Sequence, residues 1–142
     1  MKPNFAGLWQ AETSENLERI YKNMGIIGDA LEIAINESPK IEIRQSGEYF
    51  YIKTESKVVG KVEVSFKVGE IYEVPDHRWR NMKHKTSWVG GGKKLQIRPL
   101  NGSGSDPIHV YEMIGDDKLV MYLHALGETA KQTFVKQTDK DK

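Results

Sequence analysis

The chain has 142 residues and no cysteine, so no disulfide staples it, no thiolate can act as a nucleophile, and no cysteine-based zinc site can form. Nowhere does an apolar run approach the roughly 20 residues that a membrane-crossing helix needs, and the opening Met1–Phe5 lacks the apolar stretch of a secretory leader. Neither sign of charge dominates: 21 Lys and Arg stand against 20 Asp and Glu, mixed along the chain, which removes the basic footprint of a nucleic-acid binder. Among His77, His84, His109 and His124 no pair has the i, i+4 spacing of a helical zinc site. There is no Gly-x-Ser-x-Gly elbow or phosphate loop. Gly90-Gly91-Gly92 before Lys93-Lys94 lacks the strand-loop-helix setting and reads as a hairpin turn. The expectation is a soluble, cytoplasmic monomer without metal, cofactor or catalytic residues, folded as a single domain over residues 1–142.

What is present is a short amphipathic helix pair followed by strands. Leu17, Ile20, Tyr21 and Met24 fall at i, i+3, i+4 and i+7, which is one apolar stripe, with Ser14 as the expected N-cap and Gly25 as the left-handed stop. Ile27, Ala30, Leu31 and Ala34 restart the period in a second helix that ends before Pro39, giving a helical pair over about 14–37. That second helix carries Asp29, Glu32 and Glu37, so phosphate would repel it, and it is not a DNA-reading helix.

From residue 41 onward, period-two alternation recurs between turn signals. Ile41 and Ile43, then Phe50, Ile52 and Thr54, then Val62, Val64 and Phe66 fall on one face of successive strands. Further strands are expected at 70–74, 79–88, 94–100, 108–114, 118–125 and 129–136, with a first at 5–12. Pro99 predicts a bulge or local break in its ladder. The alternating charges of Lys136–Lys142 read as a solvated end. A meander of about ten antiparallel strands should close into a barrel, which removes exposed edges and leaves a central cavity. Alternation groups Leu119, Met121 and Leu123 with Ala130, Gln132 and Phe134 on the inner face, and parity turns His109 and His124 outward. An oily interior with a few isolated polar groups suits a long apolar ligand with one polar end.

Particular runs carry a resemblance over essentially the whole chain: Asn4-Phe5-Ala6-Gly7 with Trp9, Ser14-Glu15-Asn16-Leu17, Ile41-Glu42-Ile43-Arg44-Gln45, Phe50-Tyr51-Ile52-Lys53-Thr54, Phe66-Lys67-Val68-Gly69-Glu70 and Lys131-Gln132-Thr133-Phe134. The sequence resembles the intracellular lipid-binding proteins, the carriers of fatty acids, retinol and retinoic acid, and is most similar to their retinoid branch. The resemblance implies an all-β, ten-stranded up-and-down barrel with a helix-turn-helix lid between the first two strands, and ligand access beside the second helix. It also implies transient membrane contact at the lid, near Lys22, Lys57 and Lys61.

In relatives that carry acids, the closing strand presents Arg and Tyr two apart and a neighbouring strand adds a second Arg. Gln132 and Phe134 stand at the first pair here, and Glu112 is aligned with the second Arg. An ionised Glu112 would repel a buried carboxylate by about 4 kcal/mol at about 4 Å and an effective dielectric near 20. The resemblance and these residues therefore imply a retinoid with a neutral head group, retinol or retinal, read by Gln132 and Glu112. The expected lining is Phe134, Met121, Leu119, Ile52, Thr54, Phe50, Leu31, Ile41 and Val62, while Trp9 and Trp88 pack at the barrel base. The alternatives are a fatty-acid carrier without the usual arginines, an enzyme using Glu112 as general base, and a filled barrel that acts only as a surface. The segment Asp76–Arg80 reads as about two residues longer than in the retinoid carriers.

Overall fold

A computed structural model describes residues 3–57, 60–75, 81–101 and 107–137. The Asp76–Arg80 segment, with His77 and the expected strand start at Trp79, lies outside the described residues, as does most of the charged tail.

Strand β1 (Gly7–Glu15) leads into helices α1 (Leu17–Asn23) and α2 (Gly28–Asn36). The chain then runs through β2 (Lys40–Ser46), β3 (Tyr49–Ser56), β4 (Gly60–Lys67), β5 (Ile71–Pro75), β6 (Asn81–Val89), β7 (Lys94–Pro99), β8 (Ile108–Ile114), β9 (Lys118–Ala125) and β10 (Glu128–Lys136). All described pairings are antiparallel, in the order β4-β3-β2-β1-β10-β9-β8-β7-β6-β5. The first and last strands therefore join, and the meander rolls into a barrel as the alternation predicts. Gly90, Gly91 and Gly92, all at positive φ, turn β6 into β7. Pro99 ends its ladder: it pairs with His84 on one side, while the pairing to β8 stops at Ile97.

The expectation that closure removes every edge does not hold, because β4 and β5 are not hydrogen-bonded to each other. Side chains cross this seam instead. Phe66 of β4 stacks on Tyr72 of β5 with centroids 4.8 Å apart and planes 12° apart, and on Phe50 at 5.4 Å and 8°. Backbone bonds from Val68 N–H to the Glu48 carbonyl and from Gly69 N–H to the Thr86 carbonyl, each 2.9 Å, hold the β4–β5 turn against its neighbours.

The helix starts are corrected as well. Ser14 is not a cap, because β1 continues to Glu15 and pairs Ser14 with Gln132 after a bulge between Ala11 and Thr13. The left-handed Asn16 precedes α1, and its side-chain amide donates to the Thr129 carbonyl at 3.0 Å rather than capping the helix. In α2 only Leu31 and Ala34 are buried. Ile27 lies before the helix at 71% exposure, and Ile26 takes its place inside.

Two apolar layers fill the barrel. The lower one includes Phe5, Trp9, Phe50, Leu95, Leu119 and Phe134; the upper one, under α1, joins Leu17 and Ile20 to Leu123, Ala125 and Ala130. At the base Trp9 Nε1 donates to the Phe5 carbonyl at 3.0 Å, and Trp88 Nε1 donates to Glu48 Oε2 at 2.8 Å while its ring stacks on Phe5. Gly7 suits this corner because its φ is +150°, a backbone conformation that side-chain-bearing residues rarely adopt, with the Lys136 side chain lying beside it and Trp9.

Candidate functional site

Strands β8, β9 and β10 build one wall of the interior as stacked rows. Reading upward from the base, the inward residues are Met113–Leu119–Phe134, then Tyr111–Met121–Gln132, then His109–Leu123–Ala130. The facing wall presents Ile41, Thr54 and Val62 in a row across β2, β3 and β4. Between these walls and the helices lies a cavity of about 210 Å³. Tyr21, Met24, Ile26 and Ala34 roof it, Glu37 and Ser56 stand at its mouth, and His109, Tyr111, Met121, Gln132 and Phe134 form its inner wall.

Of the residues expected to line a cavity, Gln132, Phe134, Met121, Thr54 and Ile41 do touch it. Phe50, Ile52 and Leu119 are buried in the lower apolar layer instead. Leu31 is buried under α2 away from the lining, and Val62 is half-buried outside it.

Glu112 is on the other face. It sits opposite Lys94 and Val120, ion-pairs with Lys94 Nζ at 3.8 Å, and accepts a 3.4 Å hydrogen bond from the Tyr122 hydroxyl. Because Leu95, Tyr111 and Leu119 enter the core, period two forces Lys94, Glu112 and Val120 outward. The general base proposed for an enzyme is thereby absent from the cavity. The same one-residue offset in parity accounts for the expectation of an outward His109. In fact His109 lines the cavity, whereas His124 is exposed, its Nδ1 3.0 Å from Thr129 Oγ1.

The chemistry of the wall is polar but uncharged. Gln132 is 4% exposed, and among the described residues neither its amide nor the Tyr111 hydroxyl has a hydrogen-bond partner. Burial pushes the Tyr111 hydroxyl up to about 12, so it remains protonated. Burial, with His84 nearby, pushes His109 down to about 4, so it remains neutral. Tyr21 is raised to about 12 by burial and then by the Glu37 carboxylate. Among the described residues the cavity lining holds one formal charge, Glu37 at the mouth. That carboxylate accepts from Ser56 Oγ at 2.8 Å and from the Lys57 backbone N–H at 2.6 Å, which ties the end of α2 to the β3–β4 turn. Among the described residues no cluster of three metal-type ligands occurs, and no helix is long and apolar enough to cross a membrane.

Sequence reasoning missed Tyr111 and His109 although the signal was available. The β8–β9 hairpin pairs Ile114 with Lys118, so an inward Met121 requires an inward Tyr111.

No family model matches the chain. Mouse cellular retinoic acid-binding protein 2 is 31% identical over 138 residues, covering 95% of this chain and 99% of that protein. Chicken cellular retinoic acid-binding protein 1 is 32% identical over 123 residues, covering 84% and 89%. Among solved structures, human cRBP IV superposes with a TM-score of 0.84 at 27% identity over 95% of this chain and 99% of that one. A Schistosoma mansoni fatty acid binding protein in complex with arachidonic acid superposes at 0.81, with 20% identity over 94% and 96%, which bears on the fold alone.

Proposed function

Since the chain belongs to the intracellular lipid-binding family, we propose that it is a non-enzymatic carrier that shelters a small hydrophobic ligand ending in an uncharged polar group, with retinol or retinal the first candidates. The observation that carries this reading is the row Tyr111–Met121–Gln132: two neutral hydrogen-bonding groups without partners among the described residues, flanking an apolar side chain inside the barrel. Buried polar groups are costly unless satisfied, and a ligand hydroxyl both donates and accepts, so it can serve either one. A carboxylate would find no cation among the described cavity-lining residues and would lose its hydration uncompensated by them. Tyr111 takes over the second anchoring role that the sequence had given to Glu112.

The retinoic acid-binding relatives make the acid the natural competitor, and a fatty acid is the second reading. Loading under the lid, with brief contact to a membrane, is consistent with exposed Ile27 and Ile33 on the helical face and exposed Lys57 and Lys61 beside the mouth.

Titration of delipidated protein with all-trans retinol, retinoic acid and oleate, followed by tryptophan fluorescence, tests the proposal. Retinol should bind tightest, and Gln132→Arg should shift the preference toward the acids by about tenfold or more. Acids bound as well as retinol by the unaltered protein would overturn the neutral-end reading, and tight oleate binding would favour the fatty-acid carrier.

A further inference from the structure

We propose that the cavity binds ligands with a second uncharged oxygen function, several atoms from the first, more tightly than ligands with a single one, and that His109 reads that second oxygen; this rests on the carrier reading above. His109 lies one row nearer the lid than Tyr111 and Gln132, a step of about 7 Å along β8. Among the described residues its ring makes no hydrogen bond, although it borders the cavity. Through Ile97 the same row continues to Thr86, whose hydroxyl is fully buried and, among the described residues, also without a partner. The wall thus has two polar levels, one at Tyr111 and Gln132 and one at His109.

With the two levels about 7 Å apart along the backbone, one ligand hydroxyl satisfies one level best. That hydroxyl takes part in about three hydrogen bonds, all within hydrogen-bond distance of one oxygen. If that oxygen sits between Tyr111 and Gln132, the apolar body of the ligand lies against His109 and strips its water without replacing it. If it sits at His109, Gln132 is stranded. A neutral imidazole offers one donor and one acceptor, so it can read a hydroxyl or a carbonyl, and it has no charge to hold a carboxylate. The charged and titratable groups nearby agree with this. His84 faces His109 from β6, Tyr111 is its neighbour on β8, and Glu37 is held at the mouth by Ser56 and Lys57. The ligand class that fits is an apolar chain ending in a neutral, multiply oxygenated head whose oxygens are spread over several bonds.

The test compares hexadecan-1-ol with 1-palmitoylglycerol, which adds an ester carbonyl and a second hydroxyl to a similar chain. Displacement of the neutral dye Nile red is measured for the unaltered protein, His109→Phe and His109→Gln. The unaltered protein should bind palmitoylglycerol about tenfold more tightly than hexadecanol, the worth of one strong hydrogen bond. His109→Phe should bring the two within about twofold without weakening hexadecanol, and His109→Gln, which keeps a donor and an acceptor, should retain most of the preference. Equal binding of both lipids by the unaltered protein would overturn the proposal, as would a preference that survives in His109→Phe. In either case hexadecanol binding would leave the carrier reading standing. Failure of both lipids to displace the dye would overturn both readings.

Discussion

His109 and Tyr111, two residues apart on β8, are driven by burial in opposite directions to the same result, a neutral side chain at physiological pH. For His109 the folded value is about 4 against an ordinary 6.5, so between these values the unfolded chain binds more protons. Stability is therefore retained above pH 6.5 and lost as pH falls toward 4, by up to about 3 kcal/mol. Urea unfolding across this window should show that loss, and the His109→Phe variant should show a shallower slope. An identical slope would mean that His109 is hydrated in the folded protein. The same strand shows where reading residues from sequence stops. In Ile108-His109-Val110-Tyr111-Glu112-Met113-Ile114 both faces carry apolar groups, so alternation gives a period without a sign. Only pairing to β9, where Lys118 and His124 mark the wet face, decides that Tyr111 rather than Glu112 points inward. Gln132 was legible because Ala130 and Phe134 flank it against Lys131 and Thr133.

At the scale of elements, the lid is an apolar stripe on α1 resting on β9 and β10, and a tie from α2 to the β3–β4 turn. Leu17, Ile20, Tyr21 and Met24 were legible because a helix makes its own periodicity. The helix starts were not, because β1 outcompetes a cap at Ser14 by pairing with β10 through Glu15. The tie was invisible in the sequence, since Glu37 reaches Ser56 and Lys57 about 20 positions away. Glu37→Ala should cost about 1 kcal/mol of stability, and it should speed hydrogen exchange at the Lys57 amide and ligand release together. Unchanged exchange at Lys57 would show that the carboxylate does not restrain the turn.

For the whole molecule, the order of ten strands followed from turn spacing, but the gap in the sheet did not, because alternation describes each strand and not whether its last neighbour is paired. Phe66 fills that gap, so Phe66→Ala should destabilise the protein by about 3–5 kcal/mol, measured by urea unfolding. The amides of β4 and β5 that face each other should exchange earlier than those between β1 and β10. A loss under 1 kcal/mol would mean that the stack contributes little to closure. The seam also bears on capacity. A cavity of about 210 Å³ is smaller than the roughly 300–1,000 Å³ common for ligand sites. A fully stitched barrel could grow only by breaking ladder bonds, whereas at this seam the two strands are joined by ring stacking and have no ladder bonds to break. The protein is less a closed cup than a sleeve with an unsewn join, held at that join by stacked rings instead of ladder bonds.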